Sequence, residues 1–63
     1  MKAIKETTNS EDVNDLRLET EKVFDCIKDA RAYLNDNYTT GEYIILWDTF
    51  YGAFIYNSEL RNE

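Results

Sequence analysis

The feature that most constrains the fold is an almost uninterrupted apolar run at residues 43–56, which reads YIILWDTFYGAFIY. Only Asp48, Thr49 and Gly52 interrupt this run. A chain of 63 residues buries only about 60% of the surface that its unfolded form exposes, so its stability is marginal. We therefore expect residues 1–63 to form one small domain in which the rest of the chain covers the apolar run.

The residue types of the run allow two local structures. In the first, residues 42–48 and 53–58 are antiparallel strands joined by a turn at 49–52, because Tyr, Ile, Trp, Phe and Thr fit a pleated surface. In the second, the capping-box sequence at residues 39–42 begins a helix with an apolar stripe at helical spacing. The strands are favoured, because Gly52 inside a helix costs about 1 kcal/mol relative to Ala.

A long amphipathic helix is predicted upstream, over residues 11–36. Thr8-Asn9-Ser10-Glu11 has the form of a capping box, with Ser10 as a competing N-cap, and no Pro or Gly interrupts the segment. Apolar residues recur at steps of three and four, the pattern of a helix with one buried face. This stripe consists of Val13, Leu16, Thr20, Val23, Ile27, Ala30 and Leu34.

Taken together, these elements predict an α+β fold in which one long helix packs on a C-terminal β-hairpin, in the order αββ. The alternative is an all-α helical hairpin. Residues 1–9 are interpreted either as a disordered arm or as a short extended segment through Ala3 and Ile4.

Two mismatches in the predicted fold favour a second chain. The helix would be about 39 Å long, whereas a seven-residue strand spans only about 23 Å. The first strand is also apolar on both faces, and one helix covers only one of them. A two-fold homodimer is the simplest arrangement that would cover what remains.

Charge and hydropathy exclude some classes of function. Thirteen acidic and seven basic residues give a net charge of −6, which disfavours direct binding to nucleic acid, because such binding depends on cationic contacts to phosphates. The longest uninterrupted apolar run, residues 43–47, is too short for a membrane helix. The first eight residues lack the apolar core of a signal peptide. With a lone Cys26, these features predict a cytoplasmic protein that does not bind membranes.

The sequence offers little for catalysis. It has no His, and the single Cys26 has no neighbouring base or basic cluster to activate it. Asp25 and Asp29 lie four residues apart and would share a helix face, but two carboxylates are too few for a high-affinity cation site. We therefore expect no enzyme activity, no catalytic or metal-binding residue and no cofactor.

Aromatic and acidic residues instead indicate binding to another protein. Tyr and Trp are frequent hot spots of interfaces, and carboxylates at the rim would steer the chain towards a basic partner. A lone Leu18 would lie among acidic residues on the polar face of the predicted helix and would serve as an apolar contact there. The predicted partner-binding residues are Glu11, Asp15, Leu18, Asp25, Asp29, Trp47, Phe50 and Tyr51.

In its small size, acidity and aromatic content, the chain resembles the short accessory proteins of bacteriophages and other mobile elements, although the likeness rests on no defined motif. That resemblance implies a protein that binds a host protein and inhibits or modulates it. We expect such binding to occupy a basic surface, for example one that normally holds nucleic acid. The alternative is an oligomerisation or assembly module without an inhibitory role.

Overall fold

The computed structural model describes residues 1–60, which form a four-stranded mixed sheet with one α-helix packed on it. The sheet has the strand order β1-β3-β4-β2. The elements are β1 (Lys2–Thr7), a 3-10 turn (Ser10–Val13), β2 (Arg17–Leu18), α1 (Ile27–Asn37), β3 (Gly41–Asp48), β4 (Gly52–Asn57) and a second 3-10 turn (Ser58–Leu60).

The strands β3 and β4 form an antiparallel hairpin at the centre of the sheet, with Ile45 opposite Ile55. Their bounds correspond closely to the strands expected at residues 42–48 and 53–58. Gly52 closes the turn with a φ of +98°, a backbone conformation that residues other than Gly rarely adopt.

On one side of the hairpin, β1 pairs in parallel with β3, with Ile4 opposite Tyr43. Of the two interpretations of residues 1–9, the extended segment is therefore the one found in the structure. On the other side, the two-residue β2 pairs antiparallel with β4, with Leu18 opposite Tyr56.

The first face of the sheet packs against α1 and contains the main core. Ala30 and Leu34 of the helix have no exposed surface. They meet alternate residues of the two central strands, because successive side chains of a strand point to opposite faces. The core cluster consists of Phe24, Ala30, Leu34, Tyr43, Ile45, Ala53 and Ile55.

Residues 8–16 cross the second face of the sheet, from the end of β1 to the start of β2. Asp12 fixes this crossing: its Oδ2 accepts a hydrogen bond from Thr7 Oγ1 at 2.8 Å and lies 3.5 Å from Lys5 Nζ. Val13, at the end of the 3-10 turn, is buried. The chain thus supplies cover for the second face from its own N-terminal half, which the prediction had assigned to a second chain.

The predicted αββ architecture is wrong, and so is its all-α alternative. The helix covers Ile27–Asn37 rather than residues 11–36, and the sheet has four strands rather than two. Residues 11–26 form part of a 3-10 turn, the strand β2 and an isolated bridge from Phe24 to Ala53. Arg17, Leu18, Glu19 and Phe24 pair with β4, and this tertiary pairing outweighs the helical spacing of the segment's side chains.

Within residues 1–60 no helix is long and apolar enough to cross a membrane.

Candidate protein-interaction surface

The tip of the β3–β4 hairpin presents two aromatic side chains to solvent. Phe50 is 91% exposed and Tyr51 is 71% exposed. The carboxylate of Asp48 holds the turn, because its Oδ1 accepts hydrogen bonds from the backbone N–H groups of Phe50 at 2.7 Å and Tyr51 at 3.0 Å. The two rings are therefore presented by a short turn whose backbone is already fixed.

A third exposed apolar side chain lies beside this turn. Phe24 and Ala53 form an antiparallel bridge, which places Val23 and Asp25 next to the end of the hairpin. Val23 is 48% exposed, and its Cγ1 would lie 3.2 Å from a Cβ built on Gly52. We call Val23, Phe50 and Tyr51 the tip patch.

An acidic cleft of about 390 Å³ adjoins the tip patch, and Val23 belongs to both. Its carboxylates come from Asp25, Asp29 and Asp36, and its one basic lining residue is Lys22. The Lys22 ammonium lies 5.5 Å from the ring centre of Phe24, close enough for a cation–π interaction. The cleft as a whole is lined by Lys22, Val23, Phe24, Asp25, Asp29, Ala32, Tyr33 and Asp36.

The tip patch and this cleft form one continuous surface, which we call the tip surface. It combines exposed apolar side chains with three carboxylates, and it contains four of the predicted partner-binding residues. These are Asp25, Asp29, Phe50 and Tyr51.

Two other predicted residues, Glu11 and Asp15, lie on a different surface. They line a cleft of about 510 Å³ between the Ser10–Val13 turn and the β1–β3 pair, together with Asp12 and Glu42. This cleft lies on the second face of the sheet, away from α1. The structure therefore divides the predicted acidic rim between two clefts.

The last two predicted residues are half-buried rather than exposed. Leu18 lies in β2 opposite Tyr56, on the second face of the sheet. Trp47 lies near the end of β3 and packs against the core cluster. Trp47 therefore contributes to the packing of the hairpin on the core, and Leu18 lies outside the tip surface.

Val23 and Asp36 belong to the tip surface but were not among the predicted partner-binding residues. The helical interpretation placed Val23 in a buried stripe. The adjacent pair Val23 and Phe24, of which the first is exposed and the second buried, shows the alternation of extended backbone. The sequence itself carried no such signal, because both residues are apolar.

A row of aromatic side chains in the structure includes Tyr38, the C-cap residue of α1. Tyr38 lies 6.2 Å from Tyr33 and 5.4 Å from Tyr43 between ring centres. Hydrogen bonding to the Glu19 carboxylate, followed by burial, raises the pKa of Tyr38 well above its ordinary value. For Tyr43, burial is the main cause of the raised pKa.

Cys26 occupies the N-cap position of α1, where its side chain makes no capping hydrogen bond, and its thiol is free. Among residues 1–60, no three or more His, Cys, Asp or Glu side chains are grouped so that they could hold a metal ion. The chemistry that the tip surface offers is apolar contact and negative charge.

In comparisons with protein-family models, curated proteins and solved structures, the chain finds no match.

Proposed function

We propose that this chain is a small acidic protein-binding module that docks on a basic partner protein through its tip surface. The observation that supports this proposal is the concentration of exposed apolar area at one end of the molecule. Apart from Met1, the exposed large hydrophobic side chains of residues 1–59 are Val23, Phe50 and Tyr51, and all three lie in the tip patch.

The tip patch would supply most of the binding energy. Large aromatic side chains contribute strongly when a partner buries them, because they remove much apolar surface from water at little conformational cost. The hydrogen bonds from the Asp48 carboxylate hold the turn in place before binding. Less conformational entropy is then lost when the partner fixes the two rings.

The carboxylates of the adjoining cleft would select the partner by charge. Asp25, Asp29 and Asp36 surround a cleft in which the ammonium of Lys22 lies over an aromatic ring. Arg or Lys side chains of a partner could lay their aliphatic stems on the apolar patch and direct their charged ends to these carboxylates. Such complementarity accelerates association and weakens as salt concentration rises.

Occupancy would be the mechanism of action. A partner surface that is basic and partly apolar is typical of proteins that bind nucleic acid, and an acidic module seated there would exclude the nucleic acid. This is the inhibitory role expected of a phage-type accessory protein, and it requires no catalysis by the module.

The proposal is tested by capturing proteins from a lysate of the host on the immobilised chain and then measuring the affinity of the purified partner. Phe50→Ala combined with Tyr51→Ala should weaken binding at least about 30-fold, because each ring is expected to act as a hot spot. Thr49→Ala, an exposed change in the same turn, is the matched control and should leave affinity unchanged. A partner that binds the double variant as tightly as the wild type would refute this use of the tip patch.

The electrostatic part is tested with two double charge reversals. Asp25→Lys with Asp29→Lys alters the tip surface, whereas Glu11→Lys with Asp15→Lys makes the same change in net charge at the other cleft. We expect only the first to weaken binding and to flatten its salt dependence. Equal losses would show that net charge, rather than the tip surface, attracts the partner. Duplex DNA or RNA should compete with the wild-type chain for the purified partner.

A further inference from the structure

The outer edge of β1 is a second candidate for an interface. The two edges of the sheet differ: β2 has two residues, whereas β1 has six in unbroken register with β3. Proteins usually protect edge strands by keeping them short, bulged or covered. Within residues 1–60, no further backbone partner lies beside β1. The edge at β2 is thus protected because it is short, whereas the edge at β1 is long, regular and, as far as residue 60, open.

We propose that two copies of this chain associate through antiparallel pairing of their β1 edges, on a two-fold axis at Ile4. The result would be a continuous eight-stranded sheet with both helices on the same face. This inference does not rest on the proposed function, because β1 shares no residue with the tip surface.

Hydrogen-bond geometry restricts the register of such a pair. Successive residues of β1 direct their backbone groups alternately towards β3 and towards the open edge. In an antiparallel pair, residues directly opposite each other are either both hydrogen-bonded or both not. Ile4 can therefore lie opposite Ile4 of the second copy, whereas Ile4 opposite Lys5 is excluded. The two allowed registers with the longest overlap are centred on Ile4 and on Lys5.

Charge decides between these two registers. The register centred on Lys5 places two like charges directly opposite each other at the axis, which is destabilising. The register centred on Ile4 places Lys2 opposite Glu6 of the second copy and Glu6 opposite Lys2 of the second copy. Two pairs of opposite charge then flank an apolar contact between the isoleucines.

Contacts within each chain already orient these charges. Lys2 Nζ donates to the carbonyl oxygens of Leu34 at 3.3 Å and Tyr38 at 3.1 Å, at the end of α1. An ammonium group has three protons, so one remains for the second copy. Glu6 binds Arg31 through Oε2, and its Oε1 has no such contact within residues 1–60. Both side chains lie on the helix-bearing face with Ile4.

The test uses a position whose side chain makes no hydrogen bond, because alanine carries no polar side-chain atom. Ala3 is exposed and would lie opposite Lys5 of the second copy, twice per dimer. Ala3→Glu should therefore tighten the dimer about fivefold and Ala3→Lys should weaken it about fivefold, from the usual strength of cross-strand charge pairs. Sedimentation equilibrium at protein concentrations up to about 1 mM would detect even weak association.

Net charge alone predicts the opposite order, because the chain is acidic and Ala3→Glu adds to its self-repulsion. Within the monomer, Ala3 lies opposite Glu42, so Ala3→Lys places opposite charges together and should not destabilise the fold. Weaker association of Ala3→Lys could therefore not be attributed to unfolding. Circular dichroism spectra equal to that of the wild type would verify that both variants fold.

A second experiment uses complementary chains. Lys2→Glu alone and Glu6→Lys alone should each abolish self-association, because each places like charges opposite each other. An equimolar mixture of the two variants should form a one-to-one heterodimer. A wild-type chain that stays monomeric at all concentrations would overturn the proposal. So would an Ala3→Lys variant that associates more tightly than Ala3→Glu, or a mixture that does not associate.

Discussion

Phe24 and Ala53 exchange two backbone hydrogen bonds: Phe24 N donates to Ala53 O at 3.1 Å, and Ala53 N donates to Phe24 O at 2.8 Å. This reciprocal pair joins the segment before α1 to the start of β4. It also brings the Phe24 carbonyl close to Gly52 and sets Val23 beside the hairpin tip. The shape of the tip surface therefore depends on this one bridge and on the residues that permit it.

Gly52→Ala is expected to destabilise the fold by about 3 kcal/mol or more. The φ of Gly52 is +98°, a strained conformation for Ala that costs about 1–3 kcal/mol. In addition, a Cβ there would lie 2.3 Å from the backbone oxygen of Phe24, which would disrupt the bridge to Ala53. Urea denaturation of wild type and variant measures the difference.

Gly41→Ala is the matched control for that substitution. Its φ is +111°, but the three atoms nearest to a Cβ there all belong to the Tyr43 side chain, with Oη at 3.0 Å. We therefore expect a smaller loss of about 1–2 kcal/mol, from strain alone. Equal losses in the two variants would argue against a special role for the contact with Phe24.

Asp48→Ala should loosen the hairpin tip, because two backbone donors, on Phe50 and Tyr51, lose their acceptor. We expect a loss of about 1–2 kcal/mol in the free energy of unfolding. The amide hydrogens of these two residues should also exchange faster with solvent. Asp48→Asn keeps a side-chain oxygen at the same place and should retain most of the stability. An equal loss of stability in Asp48→Asn and Asp48→Ala would show that the negative charge of Asp48 stabilises the turn more than its acceptor oxygen does.

Cys26→Ser should stabilise the protein by about 0.5–1 kcal/mol. Cys26 has φ −153° and ψ 165° and caps α1 without a side-chain hydrogen bond, whereas a serine hydroxyl at an N-cap accepts one from the first turn. Cys26→Ala removes the same thiol without supplying an acceptor, and it should not stabilise. Thermal or urea unfolding of the three proteins distinguishes capping from the mere loss of sulfur.

The stability of the fold should fall in alkaline solution. The pKa values of Tyr38 and Tyr43 are raised in the folded state from an ordinary value of 10.0. The folded state therefore holds these protons more tightly than the unfolded state. The stability that this tighter proton binding contributes is fully present below about pH 10 and is lost as pH rises further.

The measurement compares unfolding free energies at about pH 8 and about pH 11, on either side of the ordinary tyrosine pKa. Tyr38→Phe should reduce the difference between the two conditions, because one of the two groups no longer titrates. Tyr51→Phe, at an exposed position, should leave the difference as it is in the wild type. An unchanged difference in Tyr38→Phe would assign the alkaline loss to other groups.

The hairpin was predictable because its signals are local. The aromatic and β-branched residues of segments 42–48 and 53–58 favour strands, and Gly52 lies where the turn needs a positive φ. The capping signals at residues 8–11 predicted the start of the long helix, with Thr8 or Ser10 as its N-cap, and this prediction was wrong. In the structure Asn9 caps a short 3-10 turn by accepting from Glu11 N at 3.0 Å, and the α-helix begins at Ile27.

The long helix was not the correct interpretation, because helical spacing alone does not decide between a helix and a chain that pairs elsewhere. Arg17 and Leu18 lie next to Asn57 and Tyr56, about forty positions away in sequence. Likewise, β1 pairs with β3 across a similar separation. Such pairings leave little trace in a single sequence, and they decided the structure of the first 26 residues.

The candidate site was predictable in part for the same reason. The exposed ring of Phe50 follows from the hairpin, whose turn is local. The association of Val23 and Asp25 with that turn depends on the bridge from Phe24 to Ala53, which is not local. The separation of Glu11 and Asp15 from the tip surface follows from the crossing of residues 8–16 over the second face.

Each sheet element of the first 26 residues pairs with a strand that comes later in the chain: β1 with β3, β2 with β4, and Phe24 with Ala53. During synthesis on a ribosome, the N-terminal half would therefore emerge with nothing to pair with. Native structure would have to wait until β3 and β4, residues 41–57, had left the exit tunnel. The first 26 residues therefore fold together with these later strands rather than progressively from the beginning of the chain.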